Sequence, residues 1–406
     1  MNAPRGPAPA RSFAAVVGSV FGVGIAYGAL TPLLSLRLEA AGTSSLVIGL
    51  QGAMFPLATL AVGGFLPALV ARIGMLALLL ASLAAAAACA LAFPLFPTLA
   101  AWFALRFAMG AAGSTHWVVS EIWMNALATE KDRSRLMGVY ATLLAAGIAL
   151  GPLVVRFTGT QGFTPFAAVA AGIAVAALPL AWARASAPEL PKRERLGPRR
   201  LLAREPGVLM AALLAGLLDA ALFVFLPLYG LRAGLPQGEA VTLVAWFMAG
   251  NVLFQIPLGW WADRSDRRRL LRGCVACSLV GALLLPVLSP GGAFASAPLL
   301  AATLFLWGGT SFGLYTLSLA ELGARGRLAE LGAANTVFVM VYELGSLAGP
   351  VMAGASMQLA GPNALVALTA SLCLAFFAIE RVVDRRVAAR PRGAGTGERG
   401  PKQRHS

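Results

Sequence analysis

Four ionisable side chains stand where lipid-compatible residues are the rule: Arg106, His116, Asp219 and Glu343 each lie inside a long apolar run of the 406-residue chain. A carboxyl group in low-dielectric surroundings holds its proton to near neutral pH and gives it up when its environment changes, which is the chemistry of a proton relay. A guanidinium in lipid costs about 2.5–3.5 kcal/mol on insertion scales, so Arg106 is expected to face the protein interior. On a helical wheel it shares a face about 60° wide with Gly110, Gly113 and Trp117, while His116 lies about 80° from it, evenly placed between packing and cavity lining. Asn251 and Gln255 stand one turn apart in another run, and buried amides need partners. With Tyr342 and Trp117 they are candidates for a cavity wall. Each of these residues has a plain alternative: packing, or pairing of the carboxyls with Arg106.

The elements that carry these residues are set by composition. Apolar residues make up 58% of the chain and charged ones 12%, with mean hydropathy +0.77, against about 25% charge in soluble domains. Apolar runs of about 18–26 residues recur between short polar breaks, long enough as helices to cross a hydrocarbon core of roughly 30 Å. The spans are expected at 12–36, 46–69, 75–93, 98–123, 136–155, 164–183, 206–231, 240–262, 270–288, 298–320, 330–355 and 363–380. This predicts an all-α integral membrane protein. Its parts are a first bundle over 1–183, a basic linker over 184–204, a second bundle over 205–380 and a disordered tail over 381–406.

The net charge of +15 could suggest nucleic acid, but its distribution argues otherwise. Odd-numbered breaks hold only Arg37, Arg156 and Arg232, whereas the even-numbered breaks, the linker and both ends hold the bulk of the basic residues. That asymmetry predicts both termini in the cytoplasm and contact with anionic lipid headgroups, with no role in binding nucleic acid. Four cysteines, Cys89, Cys274, Cys277 and Cys373, fall within apolar runs, and only His116 and His405 could add imidazole ligands. The C-x-x-C of Cys274 and Cys277 is therefore read as packing, and neither metal nor cofactor is expected. No H-E-x-x-H and no paired histidines are present, so an enzyme is not expected.

The two halves look duplicated. Gly147, Gly151 and Pro152 in the fifth span recur as Gly345, Gly349 and Pro350 in the eleventh, 198 residues on, and Gly113 and Glu121 match Gly313 and Glu321 at an offset of 200. Duplicated six-span units are a recurring construction of secondary transporters, which place their site between the repeats near the bilayer midplane.

Particular motifs carry a family resemblance. The run from Gly259 through Asp263, Arg264, Arg267, Arg268 and Arg269 resembles the G-x-L-A-D-R-x-G-R-R loop of the major facilitator superfamily, with Asp266 where glycine is usual. The first-half copy departs from it, with Pro67 and Ala71 at the glycine and aspartate positions, although Arg72 and Gly74 remain. Arg106, Gly110 and Gly113 are similar to the R-x-x-x-G pattern of the family's drug/proton antiporters, and Gly147, Gly151 and Pro152 to its antiporter signature. Glu321 and Arg325 resemble the E-x-x-x-R gate of its sugar carriers. The resemblance implies twelve transmembrane helices in two pseudo-symmetric six-helix bundles. It also implies a cytoplasmic gate built on Arg72, Glu121, Gly259, Asp263, Arg264, Arg267, Glu321 and Arg325, in which Glu121 and Glu321 pair with Arg72 and Arg264 or nearby bases when the inside is closed. Helix hinges are expected at Pro152 and Pro350.

The reading that follows is a monomeric carrier of the bacterial inner membrane that exports a small organic molecule in exchange for protons. Alternatives are a symporter or facilitator for nutrient uptake and, outside transport, a membrane sensor or scaffold.

Overall fold

The computed structural model describes residues 7–128, 132–182, 206–262, 264–325 and 331–388. Within them lie thirteen helices and no strand. The first six spans are α1 (Pro7–Ala40), α2 (Ser45–Gly63), α4 (Met75–Ala92), α5 (Leu99–Leu127), α6 (Arg133–Thr158) and α7 (Thr164–Trp182), with a short α3 (Leu66–Ile73) between the second and third. The last six are α8 (Pro206–Arg232), α9 (Gln237–Ala262), α10 (Arg267–Leu288), α11 (Ala297–Arg325), α12 (Leu331–Ala360) and α13 (Ala364–Ala388). Ten of these twelve are apolar and long enough to cross a membrane on those two properties alone. The other two, α5 and α9, are the helices that carry Arg106 and His116, and Asn251 and Gln255.

Local chemistry explains the breaks. Ser44 and Thr98 cap α2 and α5 by accepting the amide hydrogens of Val47 and Ala101, satisfying donors that a helix start leaves open. Asp266 does the same for α10, accepting from the amides of Arg268 at 2.9 Å and Arg269 at 3.4 Å. The aspartate that departs from the family loop is thus a helix cap. Two expectations need correcting. The second span stops at Gly63 rather than 69, because Gly63 and Gly64 end it, Pro67 starts the separate α3, and Gly74 at φ +85° turns the chain into α4. The last helix runs to Ala388 instead of ending at 380, its extension begun by Glu380, which binds Arg272 of α10 at 2.9 Å. The linker and residues 389–406 lie outside the described residues.

Each half packs by the same scheme: α1 against α6 and α7, α5 against α2 and α4, and correspondingly α8 against α12 and α13, and α11 against α9 and α10. The halves meet through α2 with α12, α9 with α6, and α1 with α8. These contacts are related by a pseudo-two-fold axis. Glycines set the closest approaches. A Cβ on Gly147 would fall on the carbonyl oxygen of Phe21, and one on Gly345 on that of Leu213; a Cβ on Gly24 or Gly216 would fall on the carbonyl of Leu144 or Tyr342. Small residues let membrane helices approach backbone to backbone, where dispersion and not the hydrophobic effect joins them. Both α6 and α12 continue through Pro152 and Pro350, and the glycines beside these prolines are packing surfaces.

Candidate functional site

In the first half, α1 and α5 place Thr31 and Arg106 side by side. One terminal nitrogen of Arg106 donates to Thr31 Oγ1 at 2.8 Å, and the guanidinium carbon stands 5.9 Å from the centre of the Tyr27 ring. Arg106 is 1% exposed, and its Nε and Nη1 have no hydrogen-bond partner among the described residues. Unsatisfied buried donors each cost about 1–3 kcal/mol or more when charged, so this side chain is not held there by local bonding alone. His116 is buried on the same helix and its Nε2 pairs with Ser19 Oγ at 2.9 Å. His116, Tyr27 and Gly113 separate two small voids, each with room for about one or two waters. Trp117 and Tyr140 line one of them, and Tyr140 shares a 2.9 Å hydrogen bond with Ser120.

The second half supplies the carboxyls. Asp219 of α8 is 4% exposed; it accepts the Ser311 hydroxyl hydrogen at Oδ1 (3.0 Å) and the Tyr342 hydroxyl hydrogen at Oδ2 (3.4 Å). Both of its oxygens are thus occupied by neighbours on α11 and α12. Tyr342 meets the Tyr315 ring edge-on at 5.0 Å. Glu343, the next residue of α12, is half-buried and close enough for charge interaction with Tyr315, Tyr342 and, across the interface between halves, Tyr27. Tyr27 also stacks on Phe223 of α8 at 5.9 Å and leans on Phe55 of α2 at 4.5 Å. One tyrosine therefore touches the surroundings of both Arg106 and Glu343. The carboxyls are not paired with Arg106 in this structure.

Asn251 and Gln255 satisfy each other across one turn of α9 at 2.9 Å. At the end of the bundle carrying the family loop, Arg267 donates to the carbonyls of Ala262 and Ala320, both at 3.3 Å, tying the ends of α9 and α11 together. Arg264 lies 4.0 Å over the Trp260 ring, and Arg72 is exposed with no ion pair among the described residues. The expected pairs of Glu121 and Glu321 with these two arginines are therefore not made in this state. Asp263 and the side chain of Arg325 lie outside the described residues.

The opposite end is joined. Arg232 at the end of α8 grips Glu39 at the end of α1 through two parallel bonds of 2.7 and 2.8 Å, and gives a further hydrogen to Ser45 at 2.8 Å. Arg156 donates to Thr242 at 2.9 Å, Gln237 to Thr160, and the Leu46 amide to Gln358 at 3.2 Å. Each of these bonds crosses between halves. The sequence offered no pointer to them, since Glu39 and Arg232 are ordinary helix-end charges 193 residues apart. Tyr27, Thr31 and Ser311 were equally silent, being residue types common in apolar helices.

Two pseudo-symmetric six-helix bundles, polar groups converging from both on a shared interface, and contacts grouped at one end define a membrane carrier. The chain belongs to the Major Facilitator Superfamily, whose model matches residues 16–249 and again 234–403. An uncharacterised MFS-type transporter of Yersinia pestis is 28% identical over 278 residues, covering 68% of this chain and 70% of that protein. YfkF of Bacillus subtilis, also described as an uncharacterised MFS-type transporter, is 24% identical over 341 residues, covering 82% and 86%. Among solved structures, a point mutant of the nucleoside transporter NupG superposes with TM-score 0.76 at 13% identity, over 91% of this chain and 99% of that one. A bacterial homologue of the human lysosomal transporter Spinster, inward-facing and unoccupied, gives 0.73 at 13% identity, over 92% and 96%. At that identity the likeness concerns the fold. The protein is a membrane transporter of a small molecule.

Proposed function

We propose that this chain exports a small organic molecule across the bacterial inner membrane in exchange for protons, with both termini cytoplasmic and Asp219 and Glu343 as the proton-carrying groups. The observation that carries this reading is Asp219, a carboxyl buried inside a membrane helix and hydrogen-bonded, among the described residues, only to neutral hydroxyls. An aspartate serving packing alone would be costly in such a place. Glu343 stands one residue beyond Tyr342, which binds Asp219, and lies within electrostatic reach of Tyr27 in the other half. Protonation at this pair alters the charge at the interface that must part and close during alternating access, and so biases the two states. Arg106, with two unused donors, supplies a counter-charge for the cargo or for a carboxyl in the other state. The positive-inside charge bias supports placing the family loop in the cytoplasm, and the bonds around Glu39 and Arg232 then support an outside-closed state.

The test is flux in proteoliposomes, using a compound first identified by ligand-dependent thermal stabilisation of the purified protein. An imposed pH gradient drives transport in the parent, and Asp219→Asn combined with Glu343→Gln abolishes the response while cargo still binds. Coupling that survives the double substitution overturns the proposal.

A further inference from the structure

The ion pair at the outer end has a special place in the fold. Gly24 of α1 and Gly216 of α8 make matching contacts, the first to the backbone of Leu144 and Ile148, the second to that of Tyr342 and Ser346. These partners are themselves related by the 198-residue repeat, so Gly24 and Gly216 are equivalent positions. Glu39 follows Gly24 by 15 residues and Arg232 follows Gly216 by 16, which puts the two charges at the same terminal turn of equivalent helices. Their salt bridge therefore straddles the pseudo-two-fold axis.

We infer that Glu39 and Arg232 form an on-axis ionic clasp that holds the outer end of the two halves shut and must open and re-form in every transport cycle. The geometry is a bidentate fork, the arrangement that guanidinium and carboxylate hold most specifically. Both partners are largely shielded, with side-chain exposures of 24% and 18%, so neither is a freely solvated surface charge. Arg232 suits its location, since a cation at a helix C-terminus is favourable; a carboxylate in the last turn of α1 is not, and Glu39 depends on its partner to sit there. Removing one member leaves the other half-buried and uncompensated, which is the costly way to break such a pair. Ser45, which takes another Arg232 hydrogen, begins α2, and Gly354 of α12 packs against its backbone. Release of the clasp is thereby linked to separation of the seam between α2 and α12.

The inference takes its outer side from the orientation proposed above and depends on neither the cargo nor its coupling, so it is tested without either. Spin labels are placed at Phe163→Cys and Leu359→Cys, which are exposed at the outer ends of α7 and α12 on opposite halves, with Cys89, Cys274, Cys277 and Cys373 replaced by serine. Double electron–electron resonance in lipid nanodiscs then reads the distance between halves. The parent is expected to show a predominantly short distance, and Glu39→Gln to raise the ratio of long to short distances by roughly tenfold. Arg232→Gln, the second variant, moves it the same way. The exchange Glu39→Arg with Arg232→Glu restores the short distance, because the pair sits on the axis and its polarity can be reversed. Unchanged distances in both single variants, or an exchange variant as open as they are, overturn the inference.

Discussion

Tyr27 and Asp219 occupy equivalent positions in the two halves, each three residues beyond the glycine, Gly24 or Gly216, that sets the packing of its helix. Duplication gave both halves the same helix at this place, and the two copies now carry different chemistry there. The first presents a phenol beside the Arg106 guanidinium, and the second a carboxyl bonded to Ser311 and Tyr342. Glu343 of the second half lies within electrostatic reach of Tyr27, so the two chemistries are close to each other at the interface between halves.

Ser311→Ala removes the closer of the two hydroxyls on Asp219. Losing a donor to a charged acceptor costs about 1.5–3 kcal/mol, so flux driven by a pH gradient is expected to fall roughly tenfold to a hundredfold. Tyr342→Phe, which removes the longer bond, has the smaller effect. Initial rates in proteoliposomes at a fixed gradient give the order.

Arg106→Gln separates a brace from a functional group. Two of its guanidinium nitrogens are buried without partners among the described residues, so deleting the charge is expected to leave the melting temperature in detergent the same or higher, while transport is lost. A clear drop in melting temperature with transport retained would assign Arg106 to bundle packing.

Gly349→Ala introduces a Cβ onto the carbonyl of Leu217, an overpacking that costs about 1–3 kcal/mol or more. Lower thermal stability and lower yield are expected. Gly172→Ala is the control: beyond its chain neighbours and its own helix backbone no atom lies within 4 Å of its added Cβ, and a helical glycine replaced by alanine gains about 0.5–1 kcal/mol. Melting curves of the two variants should move in opposite directions.

Cys277 is exposed on α10 while Cys274 is buried. Cys277→Ser is expected to leave flux and melting temperature unchanged, as initial rates in proteoliposomes and melting curves would show. Loss of transport on mild reduction or chelation would instead give the C-x-x-C a functional part.

The span pattern was legible because lipid imposes it on composition: long apolar runs and short polar breaks place the helices to within a few residues. The exceptions have local causes. Gly63 and Gly64 end α2 early, and the Glu380–Arg272 bond lies where α13 was expected to stop. Asp219, Glu343 and Arg106 stood out because ionisable residues are rare in such runs. Their partners did not, since Ser311, Thr31 and Tyr27 are ordinary in apolar helices and gain meaning only from the helix opposite. The glycines of α6 and α12 were visible as a repeat, but the carbonyls they pack against lie on other helices and were not.

The placement of Glu39 and Arg232 on the symmetry axis has a consequence for self-association. If two copies of the first half met as the two halves meet here, Glu39 would confront Glu39 at the centre of the contact, and two copies of the second half would bring Arg232 against Arg232. Like charges at that shielded spot repel, and only the mixed arrangement is attractive. Opposite signs at one repeated position therefore make each half a poor partner for itself and a good one for the other. The polypeptide behaves as a fused heterodimer whose halves could no longer revert to the symmetric pair from which such a fold is built.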